Sequence, residues 1–305
     1  MADVAVVTDS TAYLPTALVD SLGITVVALY YDVSGDASPG GGHDVPGRGL
    51  RESEFDGDLG RFYSELDASK TVATTSPPTV QDFVEVFDRL LQRHSAVVCV
   101  LISSGISRTC SIARQAAARL ESEGRGGERV EVTDSAGTGG HQGVQALAAA
   151  RAAAAGEDSA GVIAAMRRAR QEVRQWFVLD TLEYVRRSGR IGGAAAWFGS
   201  ALDLKPILLI ESEFKAVERV RTRRRAVERL VELMRERRAV GADRWFVQHA
   251  YAHEDAQRLA ERLAKVFGSE PAFVSEVGPV VATHTGPGAL SAGGLPGAAL
   301  GGAYG

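Results

Sequence analysis

Several large classes of protein are excluded by what this chain has little of. Its 305 residues contain only two cysteines. Cys99 lies in an apolar run and Cys110 at the start of a helical pattern, a spacing that suits neither a disulfide framework nor a metal site. A reducing cytoplasm is the compartment this implies. No uninterrupted apolar run approaches the roughly 18 residues that a membrane span needs. The opening MADVAVVTDS has no basic region followed by an apolar stretch, so no export signal is expected. A net charge of −4 leaves no broad basic face to displace the counterions of a nucleic acid. The histidines His43, His94, His141, His249 and His253 share no metal-ligand spacing, and neither a metal nor a cofactor is expected. There is no Gly-rich phosphate loop with its Lys and no GxSxG elbow. No dinucleotide fingerprint follows the first strand, where the sequence runs DSTAYLP.

What is present is an ordinary globular composition, 45% hydrophobic and 24% charged, in a chain long enough for two modest domains or one large one. Short β-branched runs at 3–8, 24–31, 96–102 and 128–133 alternate with helical patterns at 80–93, 108–121 and 140–155. That alternation is the signal of βαβ units around a mainly parallel sheet. A boundary is placed near 160, giving an N-terminal α/β domain over 1–160 and a C-terminal α/β domain over 161–305. After a helical segment that ends near Val173, the second region reads as strand 176–180, a short helix 181–187 and the loop SGRIGG. A helix over 193–202, strands at 205–211 and 214–221, and a basic helix 223–238 follow. Strand 245–251, helix 253–266 and strands near 271–276 and 279–284 complete it as a mixed sheet with helices. The Gly- and Pro-rich stretch 35–50 reads as an exposed loop. The tail from Ser291, mostly Gly and Ala, is expected to be loosely ordered.

Polar clusters fall where an open α/β sheet places its ligand crevice, beyond the C-terminal ends of strands. They are Asp9-Ser10-Thr11, Thr74-Thr75-Ser76, the run SSGISRT at 103–109, and Asp134-Ser135, with THTGPGAL at 283–290 closing the last strand. Hydroxyls at such junctions usually cap helices. Thr79 with Asp82 forms a capping-box pattern, and Ser107 stands where an N-cap is expected. Capping and anion binding are compatible, since a helix start already presents free N–H groups and partial positive charge. His284, just before Gly286-Pro287-Gly288, is expected at a loop edge, where its imidazole could donate to a carboxylate. Arg190 lies inside a Gly-bounded turn, which is also how an ordinary helix end looks. The basic stretch 219–238 interleaves Glu228, Glu232 and Glu236 with its arginines and keeps Val227, Leu230, Val231 and Met234 on one face. A solvated, salt-bridged helix explains it better than a nucleic-acid surface, and a protein-docking surface stays open.

Taken in order, VVTDSTAYLP, TSPPTVQDF at 75–83, SSGISRT, VTDSAGTGGHQG at 132–143, LEYVRRSGRIGG at 182–193, LDLKPILLI at 202–210 and THTGPGAL resemble the DegV family. These are bacterial fatty-acid-binding proteins that include the lipid-carrying subunit of fatty acid kinase. The resemblance spans nearly the whole chain. It implies two α/β domains with a long-chain fatty acid between them, its chain in an apolar tunnel and its carboxylate held by Thr75, Ser107 and His284. Arg190 would support the head group, with Ser76 and Ser104 as neighbours. It further implies a cytoplasmic carrier without catalysis of its own, which presents the carboxylate to a separate kinase for acyl-phosphate formation and meets membranes only transiently to exchange lipid. Arg221, Arg223 and Arg224 resemble the kinase-docking surface. The chain departs from the family pattern at Arg108, Pro77 and Ser188, where glycine, glutamine and glycine are usual. The alternative is a serine hydrolase acting on a lipid or ester through Ser107 or Ser104 with His284; no elbow motif or orienting acid accompanies either serine.

Overall fold

A computed structural model of the chain describes residues 3–33, 46–69, 73–190 and 204–301. The helix expected over 193–202 and most of the loop expected over 35–50 lie outside the described residues. The fold is α/β, with a parallel sheet and a mixed sheet joined by helices. Strands β1 (Val4–Asp9), β2 (Thr25–Val27), β6 (Ala96–Leu101) and β7 (Val130–Asp134) form the parallel sheet in the order β2-β1-β6-β7. Their side chains alternate between two cores, as the period of a strand requires. Ala5, Val7, Val97, Cys99 and Leu101 pack beneath α3 (Val80–Leu91) and α4 (Thr109–Ser122). Val4, Val6, Val98 and Val100 pack against α5 (Gly140–Ala154) and α6 (Ser159–Glu172). Both cysteines are buried and free.

The mixed sheet runs β10-β9-β8-β13-β11-β12. Its strands are β8 (Arg174–Val178), β9 (Lys205–Glu211), β10 (Glu213–Val220), β11 (Arg244–His249), β12 (Phe273–Glu276) and β13 (Leu290–Leu295). Trp245 and Val247 of β11 face α8 (Arg223–Ala239) and α9 (His253–Phe267). Phe246, one residue on, turns to the core around α5. That helix starts at Gly139, which has no side chain to cap it, and the mixed sheet supplies the caps instead. Gln248 Oε1 accepts the Gly140 N–H, and Gln175 Oε1 accepts the His141 N–H at 2.7 Å. A third, antiparallel sheet, β4-β3-β5, joins β3 (Tyr30–Asp32), β4 (Leu50–Arg51) and β5 (Thr74–Ser76). Short helices α1 (Thr16–Ser21), α2 (Leu59–Ser69), α7 (Glu183–Arg187) and α10 (Pro279–Thr285) complete the described residues. No helix among them is long and apolar enough to cross a membrane.

Four expectations are corrected. The run 24–31 is two strands in different sheets, because the chain leaves β1 after Val27 and Leu29 N–H is taken by Ser10 Oγ at 3.1 Å. Thr74–Ser76 is itself a strand of the small sheet, not the loop after one. Residues 279–284 are helical, not a strand. Pro279 starts the helix at a position where its missing N–H costs nothing, and Thr283 and Thr285 hydroxyls donate to the carbonyls of Pro279 and Val281 one turn back. The tail is not loose over residues 291–301. β13 is buried throughout and sits inside the mixed sheet between β8 and β11. Its glycines are there for fit, since a Cβ on Gly293 would lie 2.3 Å from the Phe246 ring.

Candidate functional site

Three structural units converge on one narrow cavity. β5 is fixed in register against β3, with Thr75 opposite Tyr31. The turn after β6 is closed by Ile106 and Ser107 N–H groups, which both donate to Ser103 O. The helix α10 is anchored at its start, where Glu52 Oε1 accepts the Val280 N–H at 2.9 Å and the Tyr13 hydroxyl at 2.7 Å. Tyr13 Oη in turn accepts the Val281 N–H at 3.1 Å. One and a half turns along α10, His284 Nε2 comes within 2.8 Å of Thr75 Oγ1.

The apolar lining of the cavity between these units includes Leu29, Ile102, Ile106, Phe214, Val280 and Val281, and its polar groups include Thr75, Ser107, His284, Arg190 and Thr138. It holds about 40 Å³ of free space. Ile106, Ser107 and Arg190 also border an open cleft of about 410 Å³ that includes Ser104, Arg108 and Glu213. They therefore stand at the boundary between cavity and solvent. The cavity combines an apolar lining with hydroxyl, imidazole and guanidinium groups, a combination suited to an amphipathic ligand whose head group is an anion.

The six expected site residues divide into distinct positions. Thr75, Ser76, Ser107, His284 and Arg190 line the cavity together. Within it Ser76 Oγ donates to Arg48 O at 2.9 Å and accepts Arg48 N–H at 3.0 Å, so its hydroxyl is engaged in holding the neighbouring loop. Arg190 Nη1 donates to Ser188 O at 2.8 Å, which folds the side chain back over its own turn. Ser104 is exposed in the outer cleft, with its N–H donated to Asp134 Oδ2. Ser107 stands one residue before the N-cap position of α4, and its Oγ accepts the N–H of Thr109, the first helical residue, at 3.3 Å. Arg108 precedes the helix without a side-chain cap, and Ser107 Oγ lies 2.8 Å from Thr109 Oγ1. The Thr79–Asp82 capping box is formed in full. His284 Nε2 faces Thr75 and Ser107 Oγ faces Thr109 Oγ1, where a hydrolytic serine would face an imidazole.

Three contributors escaped the sequence reading. Glu52 carries no motif signal for a role 228 residues away at Val280, and Tyr13 lies in VVTDSTAYLP, where nothing points to its contact with Val281, 268 residues on. Thr138 sits inside a quoted motif, but nothing in its spacing points to the cavity. Among the described residues there is no group of three or more His, Cys, Asp or Glu arranged to hold a metal.

Comparison with known proteins adds what geometry alone does not carry. The family profile described as "Uncharacterised protein, DegV family" matches residues 3–296. A DegV domain-containing protein of Streptomyces coelicolor is 36% identical over 290 residues, covering 94% of this chain and 96% of that protein. Protein DegV of Bacillus subtilis is 32% identical over 291 residues, covering 94% and 97%. The solved structure of DegV from Bacillus subtilis, described as a fatty acid binding protein, superposes with a TM-score of 0.80 at 30% identity, covering 97% of this chain and 100% of that one. A Thermus thermophilus family member, whose structure is described as showing fatty acid binding, gives the same TM-score and identity, with 96% and 99% coverage.

Proposed function

Because the chain belongs to the DegV family, we propose that it binds one long-chain fatty acid, with the acyl chain in the slot beneath α10 and the carboxylate at Thr75, Ser107 and His284. The observation that carries this reading is the meeting of Thr75 and His284 in a cavity with an apolar lining. Solved relatives of the same fold that bind fatty acids support it. Each methylene withdrawn from water contributes about 0.8 kcal/mol, so a chain of around fourteen offers roughly 11 kcal/mol before ordering costs. The carboxylate opposes burial unless it is hydrogen-bonded, and this is the work of the polar groups. Drug-sized ligands fill pockets of about 300–1,000 Å³, far above the 40 Å³ found here. Entry of an acyl chain therefore requires Leu29, Phe214 and the α10 side chains Val280 and Val281 to part.

The hydroxyls and imidazole act as ligands, and the bound acid is presented at the cleft bordered by Ser107 and Arg190 to a partner kinase that forms the acyl phosphate. The exposed arginines at the start of α8 supply its docking surface. Titration calorimetry with palmitate and with its methyl ester tests the head-group half of this reading. Palmitate should bind with a marked advantage over the ester, whereas equal affinities would remove the carboxylate site.

A further inference from the structure

We infer that Thr138 is an additional head-group ligand, donating its hydroxyl to the fatty-acid carboxylate from the parallel-sheet side of the cavity. This rests on the reading that the cavity holds a fatty acid. Thr138 is 2% exposed, and its Oγ1 has no hydrogen-bond partner among the described residues. It lines the same cavity as Thr75, Ser107 and His284. Neighbouring hydroxyls are all engaged: Thr75 with His284, Ser107 with Thr109, Ser76 with Arg48, and Thr285 with the Val281 carbonyl. A buried hydroxyl left unsatisfied is costly, and such groups are few in native proteins. Thr138 is flanked by Gly137 and Gly139.

Its place in the fold puts the hydroxyl at the head-group end. Gly137 O accepts the Ser103 N–H at 2.8 Å, and Ser103 O accepts the N–H groups of Ile106 and Ser107. The Thr138 turn therefore braces the base of the turn that carries Ser107. A carboxylate offers about four lone-pair sites across two oxygens. Thr75 and His284 approach from β5 and α10 and Ser107 from the β6 turn, which leaves the side facing the start of α5 for Thr138.

The test uses Thr138→Val, which keeps the shape and removes the hydroxyl, with Thr138→Ser, which keeps the hydroxyl, and Thr75→Val as comparator. Palmitate affinity should fall about tenfold in Thr138→Val and stay near wild type in Thr138→Ser. The ligand-free melting temperature should rise in Thr138→Val, because an unsatisfied buried group has been removed. Unchanged palmitate affinity in Thr138→Val, alongside a loss in Thr75→Val, would overturn the assignment and leave the fatty-acid reading intact. So would equal losses in Thr138→Val and Thr138→Ser, since packing and not the hydroxyl would then be responsible. Absence of palmitate binding by the wild-type protein would remove both.

Discussion

Thr75 Oγ1 and His284 Nε2 lie 2.8 Å apart across 209 residues of chain, one on an edge of the small antiparallel sheet and the other on α10. Each side chain holds the other's orientation, and in the tautomer that donates Nε2–H to Thr75 Oγ1 the threonine hydroxyl keeps its own proton for a carboxylate. Preorganisation of this kind lowers the ordering cost of binding.

Thr75→Val and His284→Ala should each weaken palmitate binding about 10- to 100-fold, since a hydrogen bond to a charged acceptor contributes about 1.5–3 kcal/mol and 1.4 kcal/mol is tenfold. The double variant should lose less than the sum of the two, because the residues are coupled. Calorimetry on the four proteins measures the cycle, and strict additivity would deny the coupling.

Glu52 makes stability depend on pH. Burial pushes its carboxyl from 4.5 up to about 7, against the opposing hydrogen bonds from Ser10, Tyr13 and Val280. The folded state thus holds a proton that the unfolded chain has released between about 4.5 and 7. The stability associated with the protonated carboxyl is present below 4.5 and is lost as pH rises through about 7, by about 3 kcal/mol in all. Glu52→Gln should keep an acceptor for the Val280 N–H and flatten this slope. Denaturant titrations of both proteins at pH 5, 6, 7 and 8 read it directly; parallel curves would exclude Glu52 as the source.

Gly293→Ala should destabilise the fold by about 1–3 kcal/mol, because the added Cβ would press on the Phe246 ring and approach Arg174 O at 2.9 Å. Thermal denaturation checks it, and a neutral result would contradict the tight packing of β13 beneath Phe246.

The same glycine shows where legibility ended. The parallel sheet was readable because its strands are apolar on both faces, with Val4, Val6, Val98 and Val100 on one and Ala5, Val7, Val97 and Cys99 on the other, and are separated by clear helical patterns. β13 was not, since a strand of Leu, Ser, Ala and Gly has no hydrophobic period, and its burial depends on an aromatic ring supplied by β11. α10 was misread because Val280, Val281 and Thr283 are β-branched, while the informative residue was Pro279 at its first position. In the site, Thr75, Ser107 and His284 were legible as motif positions and converge on one cavity. Tyr13 and Glu52 act through contacts between distant segments, which local spacing does not encode, and nothing in the spacing around Thr138 marks it as lining the cavity.

The arginines at the start of α8 separate by environment. Arg223 reaches Asp180 at 3.2 Å and Asp255 at 3.0 Å, tying α8 to α9 and to the end of β8. Arg224 has a side chain 90% exposed and, among the described residues, pairs only along its own helix with Glu228. Arg224→Glu should change stability by no more than about 0.5 kcal/mol and leave palmitate affinity unchanged, yet slow acyl-phosphate formation in a reaction reconstituted with a fatty acid kinase subunit. An unaltered rate for Arg221→Glu and Arg224→Glu combined would remove this surface from docking.

The central claim is tested most directly by extracting the purified protein with organic solvent and measuring fatty acid by mass spectrometry, before and after incubation with palmitate. The account predicts long-chain fatty acid approaching one per chain, displaced from the Thr75→Val variant. A clean extract, with no palmitate retained after incubation, would contradict it.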